Sequence, residues 1–137
     1  TMKAVKSLHH LNWRNDDAVG AAVTAVTGGG GYFHSGPTGM TAIQVNIDFT
    51  TAGAGGSDQV VVTLAYASTN SLDGSPTWTT IVAVTHTDTE ALSSETTSMT
   101  NAAIPADRLI RMSTSSITGT WINLNVDLEV QVSPVWA

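Results

Sequence analysis

The chain lacks cysteine altogether. Without cysteine it has no disulfide framework, no thiolate nucleophile and no zinc site built on sulfur ligands. Charge is also scarce, because 12% of the residues are charged, against roughly 25% in typical soluble domains. Eleven Asp and Glu outnumber five Lys and Arg, which gives a net charge of -6. Such a balance argues against a surface that neutralises phosphates, so we expect no nucleic-acid partner.

Long apolar runs are missing too. No stretch approaches the roughly 18 consecutive apolar residues of a membrane span, and no basic segment followed by an apolar one opens the chain as in a signal peptide. We therefore expect a soluble protein with no membrane partner.

Catalytic motifs are absent from the sequence. No G-x-S-x-G motif is present, and the four histidines, at positions 9, 10, 34 and 86, show no metal-ligand spacing. His86 stands at the end of a predicted strand, which favours a hydrogen-bonded surface imidazole. Asp48, Asp127 and Glu129 fall on the polar faces of predicted strands, where solvated side chains belong. We expect no enzyme activity, no cofactor and no metal site.

Threonine, serine and glycine are abundant in the chain. The 137 residues, the size of one domain, include 21 Thr, 13 Ser and 12 Gly. Because Thr favours the pleated surface of a sheet while Gly and Ser supply turns, this composition predicts an all-β protein.

Apolar and polar residues alternate in two stretches with the period of two that marks a half-buried strand. Apolar side chains occupy every second position from Ile43 to Phe49 and from Ile122 to Val132. Residues 59–68 and 77–86 read as two further strands, which a turn-rich segment joins into an antiparallel hairpin. Residues 87–100 are polar and predict one edge strand.

These strands predict an antiparallel β-sandwich with Greek-key or jelly-roll topology. Residues 1–17 lack sustained periodicity and hold three of the five basic residues. We interpret residues 1–17 as an extended N-terminal arm and residues 18–137 as the sandwich domain.

Four tryptophans stand out among few aromatic residues. Trp136 lies next to the C-terminus and Trp13 in the predicted arm, which suggests contacts between subunits. Trp121 is in phase with the polar residues of the last strand, so it should face outward or lie beneath a loop. Two sets of candidate site residues follow. The predicted interface anchors are Leu8, Leu11, Trp13 and Trp136, and the alternative set, which would stack on sugar rings, is Tyr66, Trp78 and Trp121.

The segment STNSLDGSPTW, residues 68–78, resembles a hairpin of galactose-binding-like jelly rolls and of small virion proteins of tailed phages. Together with residues 60–68, 104–111 and 119–121, it makes residues 40–132 similar in pattern to the Thr-, Ser- and Gly-rich sandwich proteins that coat or extend phage virions. Head-decoration, neck and tail proteins are among them. The resemblance implies an arm that reaches a neighbouring subunit, and it assigns no functional residue.

These observations predict a non-enzymatic virion structural protein, most simply a capsid decoration or cementing protein that stabilises the shell by bridging subunits. Its expected partners are copies of itself, as a homo-oligomer such as a trimer, and a major capsid or other virion protein. Its expected location is the virion, after synthesis in the host cytoplasm. The alternative is a carbohydrate-binding or receptor-binding module, including a tail, neck or fibre component.

Overall fold

The computed structural model of the chain describes residues 7–20, 31–49, 58–87 and 93–132. In those ranges every regular element is a strand, and no helix is long and apolar enough to cross a membrane. In chain order the strands are β1 (Ser7–Gly20), β2 (Phe33–His34), β3 (Met40–Asp48), β4 (Gln59–Ala67), β5 (Trp78–Thr87), β6 (Ser93–Thr96), β7 (Ala103–Ile104), β8 (Leu109–Ser115) and β9 (Thr120–Val132).

The strands form two antiparallel sheets that pack face to face. The five-stranded sheet has the order β1-β9-β3-β6, with β7 also paired to β3, and the four-stranded sheet has the order β2-β8-β4-β5. Early strands therefore pair with late ones: β1 with β9, β2 with β8 and β3 with β6, around the β4-β5 hairpin. This nested pairing is the wiring of a jelly roll. The predicted all-β antiparallel sandwich is confirmed, and of the two topologies expected it is the jelly roll.

The core lies between the inner faces of the sheets and is built by strand alternation. On β9 the side chains of Leu124, Val126, Leu128 and Val130 are buried, as the period of two in that segment predicts. The four-stranded sheet supplies Val60, Val62, Leu64, Ile110 and Met112 from the other side. Burial of each such side chain contributes roughly 1.5–3 kcal/mol, so the apolar alternation is the main source of stability.

The segment predicted as an N-terminal arm is a strand of the sandwich wherever the structure describes it. Strand β1 pairs with β9 along its length, and Trp13 is 0% exposed within the core. The Trp13 ring meets Phe33 edge to face at 4.9 Å between centroids, and its Nε1 donates to the carbonyl oxygen of Gly31 at 3.1 Å. An arm over residues 7–17 is therefore wrong: pairing with β9 places this segment in the sheet, and Leu11 and Trp13 then pack in the core, which weak periodicity did not reveal. Residues 1–6 lie outside the described ranges.

A second aromatic cluster, formed by Phe49, His86 and Trp121, lies between the two sheets. The Trp121 ring centroid is 4.9 Å from that of Phe49 and 5.5 Å from that of His86. The Trp121 indole Nε1 donates to the carbonyl oxygen of Thr118 at 3.0 Å. Both His86 and Trp121 are 0% exposed. The predictions of a surface imidazole at His86 and an outward Trp121 are wrong.

The inward position of Trp121 comes from an irregularity in β9. Asn123 has a φ of 57°, and the register between β1 and β9 shifts beside it, between Asn15 and Ala18. The extra residue of this bulge lies on β1, where three steps from Asn15 to Ala18 face two on β9. On β9 itself the left-handed backbone at Asn123 breaks the period of two. Trp121 and Leu124, three positions apart, are therefore both buried, while Ile122 is only partly buried.

A similar irregularity alters the inner face of β3. The register with β9 shifts between Ala42 and Gln44. Ala42 is buried there and Ile43 is half-buried, whereas alternation predicted Ile43 as the core residue. Beyond the shift, Val45, Ile47 and Phe49 face the core as predicted.

Candidate functional site

The outer face of the five-stranded sheet is mainly polar, because in the regular parts of β1, β9 and β3 inward apolar residues alternate with outward polar ones. Strand register aligns these side chains in rows across β1, β9 and β3. We call this surface the polar face; its residues are His10, Asn12, Arg14, Gln44, Asn46, Asp48, Asn125, Asp127 and Glu129. The interpretation of Asp48, Asp127 and Glu129 as residues of outward strand faces is confirmed, since all three are partly exposed.

Hydrogen bonds between neighbouring strands hold several of these side chains in place. The Asn12 Nδ2 donates to Asn125 Oδ1 at 2.9 Å and to the Val126 carbonyl oxygen at 3.2 Å. The Ser93 hydroxyl donates to Asp48 Oδ1. These bonds fix amides and carboxylates in defined orientations, which reduces the entropy a ligand must remove when it binds.

His10 and Asp127 form an ion pair on the polar face. The His10 Nδ1 lies 2.7 Å from Asp127 Oδ2. The hydrogen bond to Asp127 and its negative charge raise the pKa of His10, and Glu129 adds a smaller contribution in the same direction. The imidazolium form is therefore favoured, although the solvent exposure of this pair keeps its contribution to stability small.

A cavity of ≈ 490 Å³ opens at one end of the polar face. Arg14, Asn125 and Asp48 are direct register partners on β1, β9 and β3, so three adjacent strands each contribute one polar group. Among the described residues the Arg14 guanidinium forms no ion pair. We call this cavity the Arg14 pocket; its lining residues are Asn12, Arg14, Asp48, Phe49, Asn123, Leu124 and Asn125.

The outer face of the four-stranded sheet carries a different feature, a tryptophan covered by an arginine. The guanidinium carbon of Arg111 lies 3.9 Å from the centroid of the Trp78 ring, and Tyr32 lies 6.2 Å from the same ring, centroid to centroid. On β4, Ala67 is the register partner of Trp78, and Ala65 is the register partner of Arg111. Both alanines are buried, but neither belongs to the core cluster. Small side chains at these two positions let the long ones lie across the strand.

The structure separates the predicted interface anchors. Leu11 and Trp13 are core residues, so their side chains are not available to another subunit. Leu8, in contrast, is 58% exposed and stays a predicted anchor. Trp136 lies outside the described residues.

The predicted sugar-stacking set is also divided. Trp121 is corrected to a core residue, as described above. Tyr66 is half-buried and packs against the core, which leaves little of its ring for a ligand. Trp78 is half-buried on an outer face, with Arg111 over its ring. A platform of three stacking rings is therefore not formed.

The Arg14 pocket was not predicted from the sequence. Alternation identifies Asp48 and Asn125 as outward residues, but it carries no information about which strands are neighbours. Arg14 lies in a segment without clear periodicity. The three residues lie together because of the pairing register of β1, β9 and β3, which only the tertiary structure shows.

Metal-binding clusters are not found in the described part of the chain, where no three His, Asp or Glu side chains converge as ion ligands would. No protein-family model, no curated protein and no solved structure matches this chain.

Proposed function

We propose that this chain is a non-enzymatic structural protein of a phage virion, a capsid decoration or cementing protein that acts through contacts between protein subunits. The observation that carries the proposal is a long edge strand of a jelly-roll body, which no described residue covers along residues 82–85. Jelly rolls occur in viral capsid proteins and in lectins, which supports the proposal by analogy of fold alone.

Strand β5 is the edge of the four-stranded sheet and pairs with β4 on one side. On its other side, the backbone N–H groups of Thr100 and Asn101 donate to the carbonyl oxygen of Ile81. The Asn101 side-chain amide donates to the carbonyl oxygen of Thr80. No described residue pairs with residues 82–85 on that side. Unpaired backbone donors and acceptors along an edge are a template for a strand of another chain.

The composition of β5 favours such pairing. Its sequence, WTTIVAVTHT, holds no Lys, Arg, Asp, Glu or Pro, and these are the residues that normally protect an edge. Strand β1, the edge of the other sheet, carries Arg14, Asp16 and Asp17. Strands β2 and β6 are two and four residues long. The long edge at β5 is therefore the best candidate for a protein contact.

The geometry of the contact at β5 would determine the oligomeric state. Two β5 edges that pair antiparallel are related by a two-fold axis and give a dimer, whereas β5 paired with a different edge of the next copy can close into a ring such as the expected trimer. In both cases the contact continues the four-stranded sheet across the interface.

A pair of matched lysine substitutions tests the edge. Ala83 is exposed on β5, and Thr63 is its register partner on the central strand β4. We expect light scattering after size exclusion to show an oligomer for the native chain and for Thr63→Lys. Ala83→Lys should weaken association by at least about tenfold, or about 1.4 kcal/mol. A native chain that stays monomeric, or an Ala83→Lys variant that assembles normally, would contradict the proposal.

The virion part of the proposal has its own test. Mass spectrometry of purified virions from the phage that encodes the chain should detect it at many copies per particle. Absence from such virions would refute this part. Deletion of residues 1–17 would not test subunit contacts of the N-terminal segment by themselves, because it also removes most of β1 and the core residue Trp13.

A second candidate function is that of a carbohydrate-binding or receptor-binding module, including a tail, neck or fibre component. The Arg14 pocket favours it, because the volume of ≈ 490 Å³ falls in the range of about 300–1,000 Å³ that is typical of small-molecule sites. A glycan array with the full chain tests this candidate, and silence across the array would reject it.

A further inference from the structure

We propose that the Arg14 pocket binds a neutral hexopyranose unit of a glycan, with Arg14, Asp48 and the amides of Asn12, Asn123 and Asn125 as its polar contacts. The inference deepens the second candidate function and rests on it. It replaces the predicted stacking platform with a different surface on the opposite sheet.

The width of the pocket follows from strand register. Arg14, Asn125 and Asp48 lie side by side on three adjacent strands. Since neighbouring strands are about 4.8 Å apart, the guanidinium strand and the carboxylate strand are separated by roughly 10 Å. A pyranose ring that lies over Asn125 on the central strand β9 can reach groups on both flanking strands.

The polar groups of the pocket match hydroxyls, which both donate and accept hydrogen bonds. The Arg14 guanidinium is a donor only, the Asp48 carboxylate is an acceptor only, and the asparagine amides offer both kinds of group. Asp48 Oδ1 accepts from Ser93, and Asn12 and Asn125 orient each other. The ligand would thus meet donors at one wall and acceptors at the other.

The charge of the pocket favours a neutral ligand. Among the described residues that line it, Arg14 and Asp48 are the charged ones, and their charges cancel. An anion would be repelled by Asp48 and a cation by Arg14. Sugar hydroxyls carry no net charge and can hydrogen-bond to both groups.

Phe49 and Leu124 also line the pocket, but their side chains are buried in the core, where 4% and 1% of their surface is exposed. They therefore offer a ligand little apolar surface. Recognition of a sugar would depend on the polar side chains of the pocket, which are few and fixed, as in small-molecule sites.

The test is an NMR titration of the isotopically labelled full chain with the methyl glycosides of glucose, galactose and mannose. Galacturonate serves as a charged comparison. We expect saturable shifts with at least one neutral glycoside, centred on amides of the pocket. Arg14→Ala and Asp48→Ala should each weaken binding by at least about tenfold.

Asn46→Ala is the matched control, because Asn46 lies two residues before Asp48 on the same face of β3 but does not line the pocket. It should bind as the native chain does. Trp78→Ala tests the opposite sheet and should also leave binding unchanged. Thermal unfolding of all four variants checks that each one is folded.

The outcomes separate the site from the function on which it rests. If no glycoside binds and the glycan array is silent, both the site and the second candidate function fail. If glycans bind but Arg14→Ala and Asp48→Ala bind as well as the native chain, or only Trp78→Ala loses binding, the pocket assignment alone is wrong. Stronger binding of galacturonate than of every neutral glycoside overturns the ligand class.

Discussion

The outer faces of the two sheets are built by the same alternation but carry different chemistry. Amides and charged groups cover the outer face of the five-stranded sheet, among them His10, Asn12 and Asp127. The outer face of the four-stranded sheet has small side chains at Ala65 and Ala67, with a single arginine over a tryptophan. The first surface offers directional hydrogen bonds, whereas the second carries few charged groups and lies beside an edge strand without charged residues. The proposed ligand site and the proposed protein contact therefore lie on different sheets.

The largest expected effect is on the free energy of unfolding, and it distinguishes a tryptophan in the core from one on an outer sheet face. Trp121 is fully buried against Phe49 and His86, whereas Trp78 is half-buried on the four-stranded sheet. We expect Trp121→Ala to lower the free energy of unfolding by about 3–5 kcal/mol. Trp78→Ala should lower it by only about 1 kcal/mol. Urea unfolding followed by circular dichroism measures both, and equal losses would place Trp78 in the core as well.

A smaller effect concerns the arginine over Trp78. The Arg111 Nε is buried and has no hydrogen-bond partner among the described residues, so the contact with the Trp78 ring is its main compensation. A double-mutant cycle with Arg111→Ala and Trp78→Ala should give a coupling of about 0.5–2 kcal/mol. Ser113→Ala, two residues further along β8, provides the control and should show no coupling to Trp78. A coupling of zero would mean that the two side chains are merely adjacent.

The smallest effect is electrostatic and belongs to the polar face. Because Asp127 raises the pKa of His10 in the folded chain, the pair stabilises the fold fully at pH values below the unfolded-state pKa of His10. That stabilisation is lost as the pH rises through the raised folded-state pKa. NMR titration should show the pKa of His10 falling in the Asp127→Asn variant. An unchanged titration midpoint would mean that Asp127 does not interact with His10 in solution.

Periodicity predicted those parts of the fold whose strands are regular. The alternation from Leu124 to Val132 and the hairpin of β4 and β5 were identified from the sequence, and both are confirmed. Predictions failed where one residue changes the phase, as at Asn123 and at Ile43. A left-handed residue or a bulge shifts all preceding side chains to the other face, and it leaves no mark in a hydrophobic pattern.

The N-terminal segment failed for a different reason. Residues 7–17 have no clear alternation, yet pairing with β9 makes most of them part of an edge strand that contributes Leu11 and Trp13 to the core. Strand β1 hydrogen-bonds to β9, more than 100 residues away in the chain, and buries one face against the opposite sheet. Because both contacts are long-range, its own sequence need not show a strong local signal. The candidate site depends on the same long-range pairing.

The amino-acid sequence by itself determined the class of this protein, because composition and side-chain period decide whether a chain can bury its apolar residues as sheets. It also determined which residues are exposed along the regular parts of β3 and β9, from Gln44 to Asp48 and from Asn125 to Gln131. Only the tertiary structure decided that Arg14, Asn125 and Asp48 share one pocket and that Trp121 is buried. Register between distant strands and the bulges within them are set by packing of the whole sandwich, and no local pattern encodes that packing.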